Sequence, residues 1–271
     1  MTTPRDGAGG FAAADSLVIP PRFNGPTDSA NGGYASGLLA QKLVGAPGRA
    51  EAHAGSSLEG MGAVRVRLHA PPPLGTSLTV IPEHDGAAVR LWDQGRLIAE
   101  ATPDIDPQTR VPWVALPEAR AAERRFRGAT EHPFPTCFAC GPERAAGDGL
   151  ALAPGPVDGA ADHTACVWTP PIDLVDTRDA HLSSGPAVWA ALDCPGGWTS
   201  DIVGRPMVLG QMTTRIWRHP HIGRAHIVTG RQLAVDGRKV RTATTLHDEN
   251  GAVLATAEHV WIILREGAQP Q

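Results

Sequence analysis

Side chains able to do chemistry are sparse in this sequence, and their spacing limits what they can do. Cys137 and Cys140 form a C-x-x-C pair, which is half of a zinc site, but no second ligand pair stands at a matching interval. Cys166 and Cys194 are isolated and read as core residues, so no metal site is expected. His219, His221 and His226 fall among strand and turn residues without an H-x-x-x-H pair on one helical face, which predicts surface positions. His181 lies three residues before Ser184, within reach of a cleft there, although a solvated loop position is the simpler reading. Neither G-x-S-x-G nor a Walker-type loop occurs, which argues against a serine hydrolase and an NTPase. Two features are left. Asp193 ends an apolar helical stretch and runs into Cys-Pro-Gly, as a helix-end turn residue or as a reactive acid. Gly32-Gly33 opens another such stretch, either for close packing or to let a bound molecule approach the helix start.

The elements that must hold these residues are short. The chain has 271 residues, of which 42% are hydrophobic and 19% charged, enough for a sizeable core without staples. Its 31 glycines and 25 prolines point to many turns rather than a helical bundle. A net charge of −4 excludes a dominant basic surface for nucleic acid. No apolar run reaches a membrane span, the first residues lack a secretory pattern, and four cysteines make no dense disulfide framework. A soluble, cytoplasmic protein is expected.

Residues 1–15, rich in Gly and Ala, read as a disordered leader. Asn31–Val44 is helical by the recurrence of Tyr34, Leu38, Leu39 and Leu43. Ala63–His69, Ser77–Ile81, Ala88–Trp92 and Arg96–Ala101 read as strands, with a hairpin at Asp93-Gln94-Gly95. A proline-rich and charged stretch containing a short helix marks a boundary. The pattern then repeats. Gly185–Leu192 is a helix closed by Pro195-Gly196-Gly197, and Met212–Trp217, His226–Ala234, Arg238–His247 and Val253–Leu264 are strands, the last two joined at Asn250-Gly251. Leu91-Trp92-Asp93 with Leu97–Ala101 matches Leu246-His247-Asp248 with Val253–Ala257. The implied fold is α+β, one helix and a run of antiparallel strands, duplicated in tandem.

His132-Pro133-Phe134-Pro135-Thr136-Cys137-Phe138-Ala139-Cys140-Gly141-Pro142, followed by Gly149-Leu150-Ala151-Leu152, resembles the opening of single-domain hotdog thioesterase-like proteins. Ser184–Asp193 occupies the place of their His-Gly-Gly helix ending in Leu-Asp. Phe23-Asn24-Gly25 through Asn31-Gly32-Gly33-Tyr34 and Gln41 resembles the first half of double-hotdog acyl-CoA thioesterases, and Gly251–Thr256 resembles their last strand. The resemblance implies a tandem double hotdog, each unit a central helix wrapped by a curved antiparallel sheet. Residues 16–115 would form the N-terminal hotdog, 116–133 a linker and 134–266 the C-terminal hotdog. It also implies hydrolysis of an acyl thioester, with acyl-CoA as the expected substrate and no cofactor, metal, nucleic acid or membrane partner. Fused hotdogs often pair further, so a homo-oligomer is compatible with it.

Hydrolysing a thioester needs donors for a tetrahedral oxyanion, such as free N–H groups at a helix start, and an acid that activates water or attacks directly. In the resembled pattern the acid follows the second glycine by seven positions. The second half keeps the acid, Asp193, but has Pro186 at the glycine position, without an N–H. The first half keeps Gly32-Gly33 but has Ala40 at the acid position. Together the halves supply one composite centre: Asp193 as base or nucleophile opposite backbone N–H groups at Gly33 and Tyr34, with Asn31, Gly32, Gln211 and Thr213 as substrate-binding residues. The last strand carries Thr256, Glu258 and His259 where a glutamine would complete an aspartate–threonine–glutamine trio, so only the aspartate carries over. An acyl-thioester-binding protein without catalysis is the alternative. A hydratase is disfavoured because no D-x-N-P-x-H-like loop is present.

Overall fold

The computed structural model describes residues 15–44, 62–83 and 86–265; most of the expected leader lies outside them. The described strands form one antiparallel sheet. Its first half comprises β1 (Asp15–Val18), β2 (Ala63–Leu68), β3 (Ser77–Pro82), β4 (Val89–Asp93) and β5 (Arg96–Asp104). The second comprises β6 (Gly155–Val157), β7 (Ala160–Trp168), β8 (Met207–Ile216), β9 (His226–Asp236), β10 (Lys239–His247) and β11 (Val253–Ile263). The spatial order is β1-β3-β4-β5-β2-β8-β11-β10-β9-β7-β6. Read outward from the centre, β2-β5-β4-β3-β1 and β8-β11-β10-β9-β7 are the same topology twice. The halves join where β2 pairs with β8, Val64 opposite Thr214 and Arg67 opposite Gln211. This is the tandem double hotdog that the repeat predicts.

The hairpin residues explain the register. At the β4–β5 turn Gln94 and Gly95 both take positive φ, 46° and 85°, the geometry that follows the strand twist in a two-residue turn. In the longer connection between β10 and β11, Gly251 takes a φ of 84° and its N–H donates to Asp248 O. The sequence pattern hides the β6–β7 hairpin because polar Asp162 and His163 interrupt the apolar alternation of β7. Asp158-Gly159, with Gly159 at φ 74°, is the turn signal that marks it.

The helices α1 (Gly32–Val44) and α3 (Gly185–Gly197) follow β1 and β7, and they pack on each other across the junction. A β-carbon on Gly37 would sit 2.6 Å from Pro186 Cα, and one on Gly33 2.6 Å from Asp193 Cβ, so both glycines are needed for this approach. All thirteen residues of α3 are buried, as expected of a helix apolar on every side. α3 does not stop at Leu192. It runs on through Pro195, which cannot donate an N–H. Strand side chains meet carbonyls of this last turn: Thr244 Oγ1 donates to Leu192 O and Thr164 Oγ1 to Pro195 O, each at 2.9 Å. In the connecting segment α2 (Leu116–Glu123) buries Ala119 and Ala122 against β7.

Candidate active site

The first turn of α1 builds the site. Asn31 is the residue just before the helix, and its Oδ1 accepts the Tyr34 N–H at 2.8 Å, the bond expected of an asparagine cap. That bond fixes the amide orientation. Because Oδ1 must accept, Nδ2 is turned the other way, and it donates to Asp193 Oδ2 at 3.1 Å. The Gly33 N–H donates to the same oxygen at 2.9 Å. Asp193 Oδ1 has no hydrogen-bond partner among the described residues. The carboxyl of the second hotdog is thus gripped by the helix start of the first.

Asp193 is 2% exposed. Its pKa is pushed up to about 7, chiefly by burial and further by the neighbouring Cys137; the Gly33 and Asn31 bonds pull the other way. Burial also raises the Tyr34 phenol to about 12. The Tyr34 ring is stacked on Phe23 with centroids 3.8 Å apart and meets Phe138 edge-on at 5.5 Å. Its side chain packs the core while its N–H is held by the cap.

A cavity of about 670 Å³ adjoins this contact. Asn31, Gly32 and Leu68 from the first half line it together with Asp193, Cys194 and Leu209 from the second. Of the residues expected from the sequence, Asn31, Gly32, Gly33, Tyr34 and Asp193 are brought together. Two others are placed elsewhere. Gln211 and Thr213 are not among the residues lining the cavity, and Thr213 Oγ1 donates instead to Asp104 Oδ2 at 3.2 Å. The backbone N–H groups of Gly33 and Tyr34 are also not free donors, since Asp193 and Asn31 already occupy them. The room left by the glycines is filled by protein: a β-carbon on Gly32 would meet Leu209 at 2.8 Å, and one on Gly33 would meet Trp189 O at 2.7 Å.

Two of the histidines and one cysteine depart from expectation. His219 and His226 are buried, with Nδ1 of His219 2.7 Å from Ser183 O and Nδ1 of His226 2.9 Å from Arg224 O. These backbone partners let the rings leave solvent. His181 and His221 are exposed. Cys166 is a buried core residue, but Cys194 is not isolated: its Sγ lies 3.7 Å from that of Cys137, 57 residues away in sequence. His132 and Trp198 stand beside this group and line the same cavity. Sequence spacing carries no signal for a contact of such long range; the adjacency of Cys194 to Asp193 is the nearest hint.

Solved structures share the fold. A thioesterase candidate from Novosphingobium aromaticivorans matches with a TM-score of 0.58 at 14% identity, covering 92% of this chain and 95% of its own. The tesB protein of Mycobacterium avium subs. paratuberculosis matches with a TM-score of 0.59 at 11% identity, covering 92% of each chain. A hot dog fold protein from Alicyclobacillus acidocaldarius, described as of unknown function, matches with a TM-score of 0.51 at 12% identity, again covering 92% of each. No protein-family model and no curated protein matches the chain.

Proposed function

We propose that this double hotdog is an acyl-thioester hydrolase, with acyl-CoA as the substrate class and a single composite centre at the junction of its halves. The observation that carries the reading is the bond from the Gly33 N–H of α1 to Asp193 Oδ2 of α3, at the wall of a cavity lined by both halves. A thioesterase candidate among the proteins sharing the fold supports the reaction class. Asp193, held by Asn31 and Gly33, acts as the general base for water or as the nucleophile at the thioester carbon. Asp193 Oδ1, which no described residue engages, takes the proton of the attacking water while the Asn31 and Gly33 bonds keep Oδ2 in place. Collapse of the tetrahedral intermediate expels the thiolate, which takes up a proton to leave as CoA thiol, and the acid is released.

The test is release of free CoA from a panel of acyl-CoAs, followed chromatographically so that the protein's own thiols do not interfere. Asp193→Asn keeps the size of the side chain and removes the base, so kcat should fall by ~10²–10⁴ with the far-UV spectrum unchanged. Hydrolysis by Asp193→Asn at the parent rate refutes the composite centre. The second reading, an acyl-thioester-binding protein without catalysis, draws on the engagement of both the Gly33 and Tyr34 N–H groups. It takes over if the parent binds acyl-CoA calorimetrically and hydrolyses none of the panel.

A further inference from the structure

Sequence spacing offers the four cysteines no metal site, but the fold gathers three of them. The sulfurs of Cys137, Cys140 and Cys194 all lie within 4.8 Å of one another, and all three residues are buried. We propose that Cys137, Cys140 and Cys194 bind one zinc ion as thiolates, with the fourth coordination position turned to the cavity that they line. The inference does not depend on the hydrolase reading.

Zinc–sulfur bonds of about 2.3 Å in a tetrahedron place sulfurs about 3.8 Å apart. The Cys137–Cys194 separation is 3.7 Å, so a metal enters with little movement of that edge. The loop carrying two of the ligands is shaped for the purpose. In Cys137-Phe138-Ala139-Cys140-Gly141 the chain doubles back so that the Gly141 N–H donates to Cys137 O at 2.8 Å. Residue 141 must be glycine, because a β-carbon there would come within 2.5 Å of Pro135 O and also strike the Cys137 backbone. Cys140 and its neighbours then face Cys194, delivered by the last turn of α3.

The surroundings suit thiolates better than packed neutral thiols. Trp198 Nε1 donates to Cys140 Sγ at 3.5 Å, and His132 Nε2 lies 3.3 Å from the same sulfur. The Asn31 amide reaches toward Cys137 and Cys194 at 3.9 and 4.0 Å. Three thiolates around a dication leave one negative charge, which these donors can meet. His132 serves as a donor rather than as the fourth ligand. Its Nδ1 accepts the Phe134 N–H at 2.9 Å, so the proton of the neutral ring sits on Nε2, facing Cys140. A soft, all-sulfur donor set favours zinc over magnesium or calcium. Three protein ligands with a fourth place open to the cavity is the pattern of a zinc site that can still take a water or a substrate atom.

The full-length protein, purified under reducing conditions without chelator, should carry one zinc per chain by elemental analysis. Stripped of zinc and titrated with Co²⁺, it should bind one equivalent and develop a thiolate-to-cobalt charge-transfer band together with tetrahedral visible bands. Cys140→Ser and Cys194→Ser should lose the charge-transfer intensity at one equivalent, whereas Cys166→Ser, outside the cluster, should keep it. If either cluster variant fails to fold, the cobalt spectrum of the parent decides alone. Reduced, folded parent protein that carries no stoichiometric zinc and gives no thiolate–cobalt band overturns the site. So does a parent in which Cys137 and Cys194 are isolated as a disulfide under those conditions. Acyl-CoA hydrolysis enters none of these measurements, so the metal site and the hydrolase reading fail separately.

Discussion

Gly33→Ala tests the contact on which the composite centre rests. A β-carbon at residue 33 would lie 2.6 Å from Asp193 Cβ and 2.7 Å from Trp189 O. Carbon atoms pack at about 3.5–4.0 Å, so α1 and α3 must part locally by roughly 1 Å. The Gly33 N to Asp193 Oδ2 distance of 2.9 Å then passes the limit of a hydrogen bond. Overpacking costs about 1–3 kcal/mol and loss of a hydrogen bond to a charged group about 1.5–3 kcal/mol. The helix preference for alanine returns up to ~1 kcal/mol. Gly37→Ala provides the internal comparison. Its β-carbon would meet Pro186 Cα at 2.6 Å and Trp189 Cβ at 3.0 Å, the same helix pair without the Asp193 bond. Urea denaturation of parent and variants, with m unchanged, should place Gly33→Ala about 2 kcal/mol below Gly37→Ala, and only Gly33→Ala should lose acyl-CoA hydrolysis in proportion to its damaged carboxyl grip. If Gly33→Ala is as stable as Gly37→Ala, the bond between the halves contributes nothing and the reasoning fails.

Asn31→Ala removes a helix cap and one donor to Asp193, so it should cost about 1 kcal/mol of stability and lower kcat more than it raises KM. Asn31→Asp keeps the capping oxygen but sets a second carboxylate against Asp193. It should retain the stability of the helix start and still lose activity; equal kcat in Asn31→Asp and the parent would show that the amide does not position the acid. Acid should act through His259, which is 2% exposed and whose pKa burial lowers from 6.5 to about 4. The unfolded chain protonates this ring at a higher pH than the folded one, so its contribution to stability declines as pH falls from 6.5 to 4, by about 3 kcal/mol in all. Asp193, which takes its proton in the folded state near pH 7, works in the opposite direction. The His259 effect is therefore read as the difference between parent and His259→Gln in urea midpoints across this range, and parallel curves would refute it.

Local chemistry settles much of this protein. The apolar spacing of Tyr34, Leu38, Leu39 and Leu43 is enough to write α1, and Gln94-Gly95 and Asn250-Gly251 are enough to write two hairpins, because helix periodicity and positive-φ turns depend on residues close in sequence. The repeat of these elements leads to two like units, and the resemblance to double hotdogs implies that their one glycine pair and one acid meet at a single junction of Gly33 and Asp193. What the tertiary structure decided is how each polar group is used once the units meet. Burial leaves a carboxyl such as Asp193 seeking donors, and the nearest are the Gly33 N–H and the Asn31 amide, so the helix-start donors are spent on the acid itself. Gln211 and Thr213 fall outside the cavity because the strand pairing of β8, not their residue type, sets which way they lie. α3 continues past Pro195 because Thr164 and Thr244, far off in sequence, come to its carbonyls. Cys194 meets the Cys137–Cys140 loop across 57 residues by the docking of α3 alone, a contact that no spacing rule encodes.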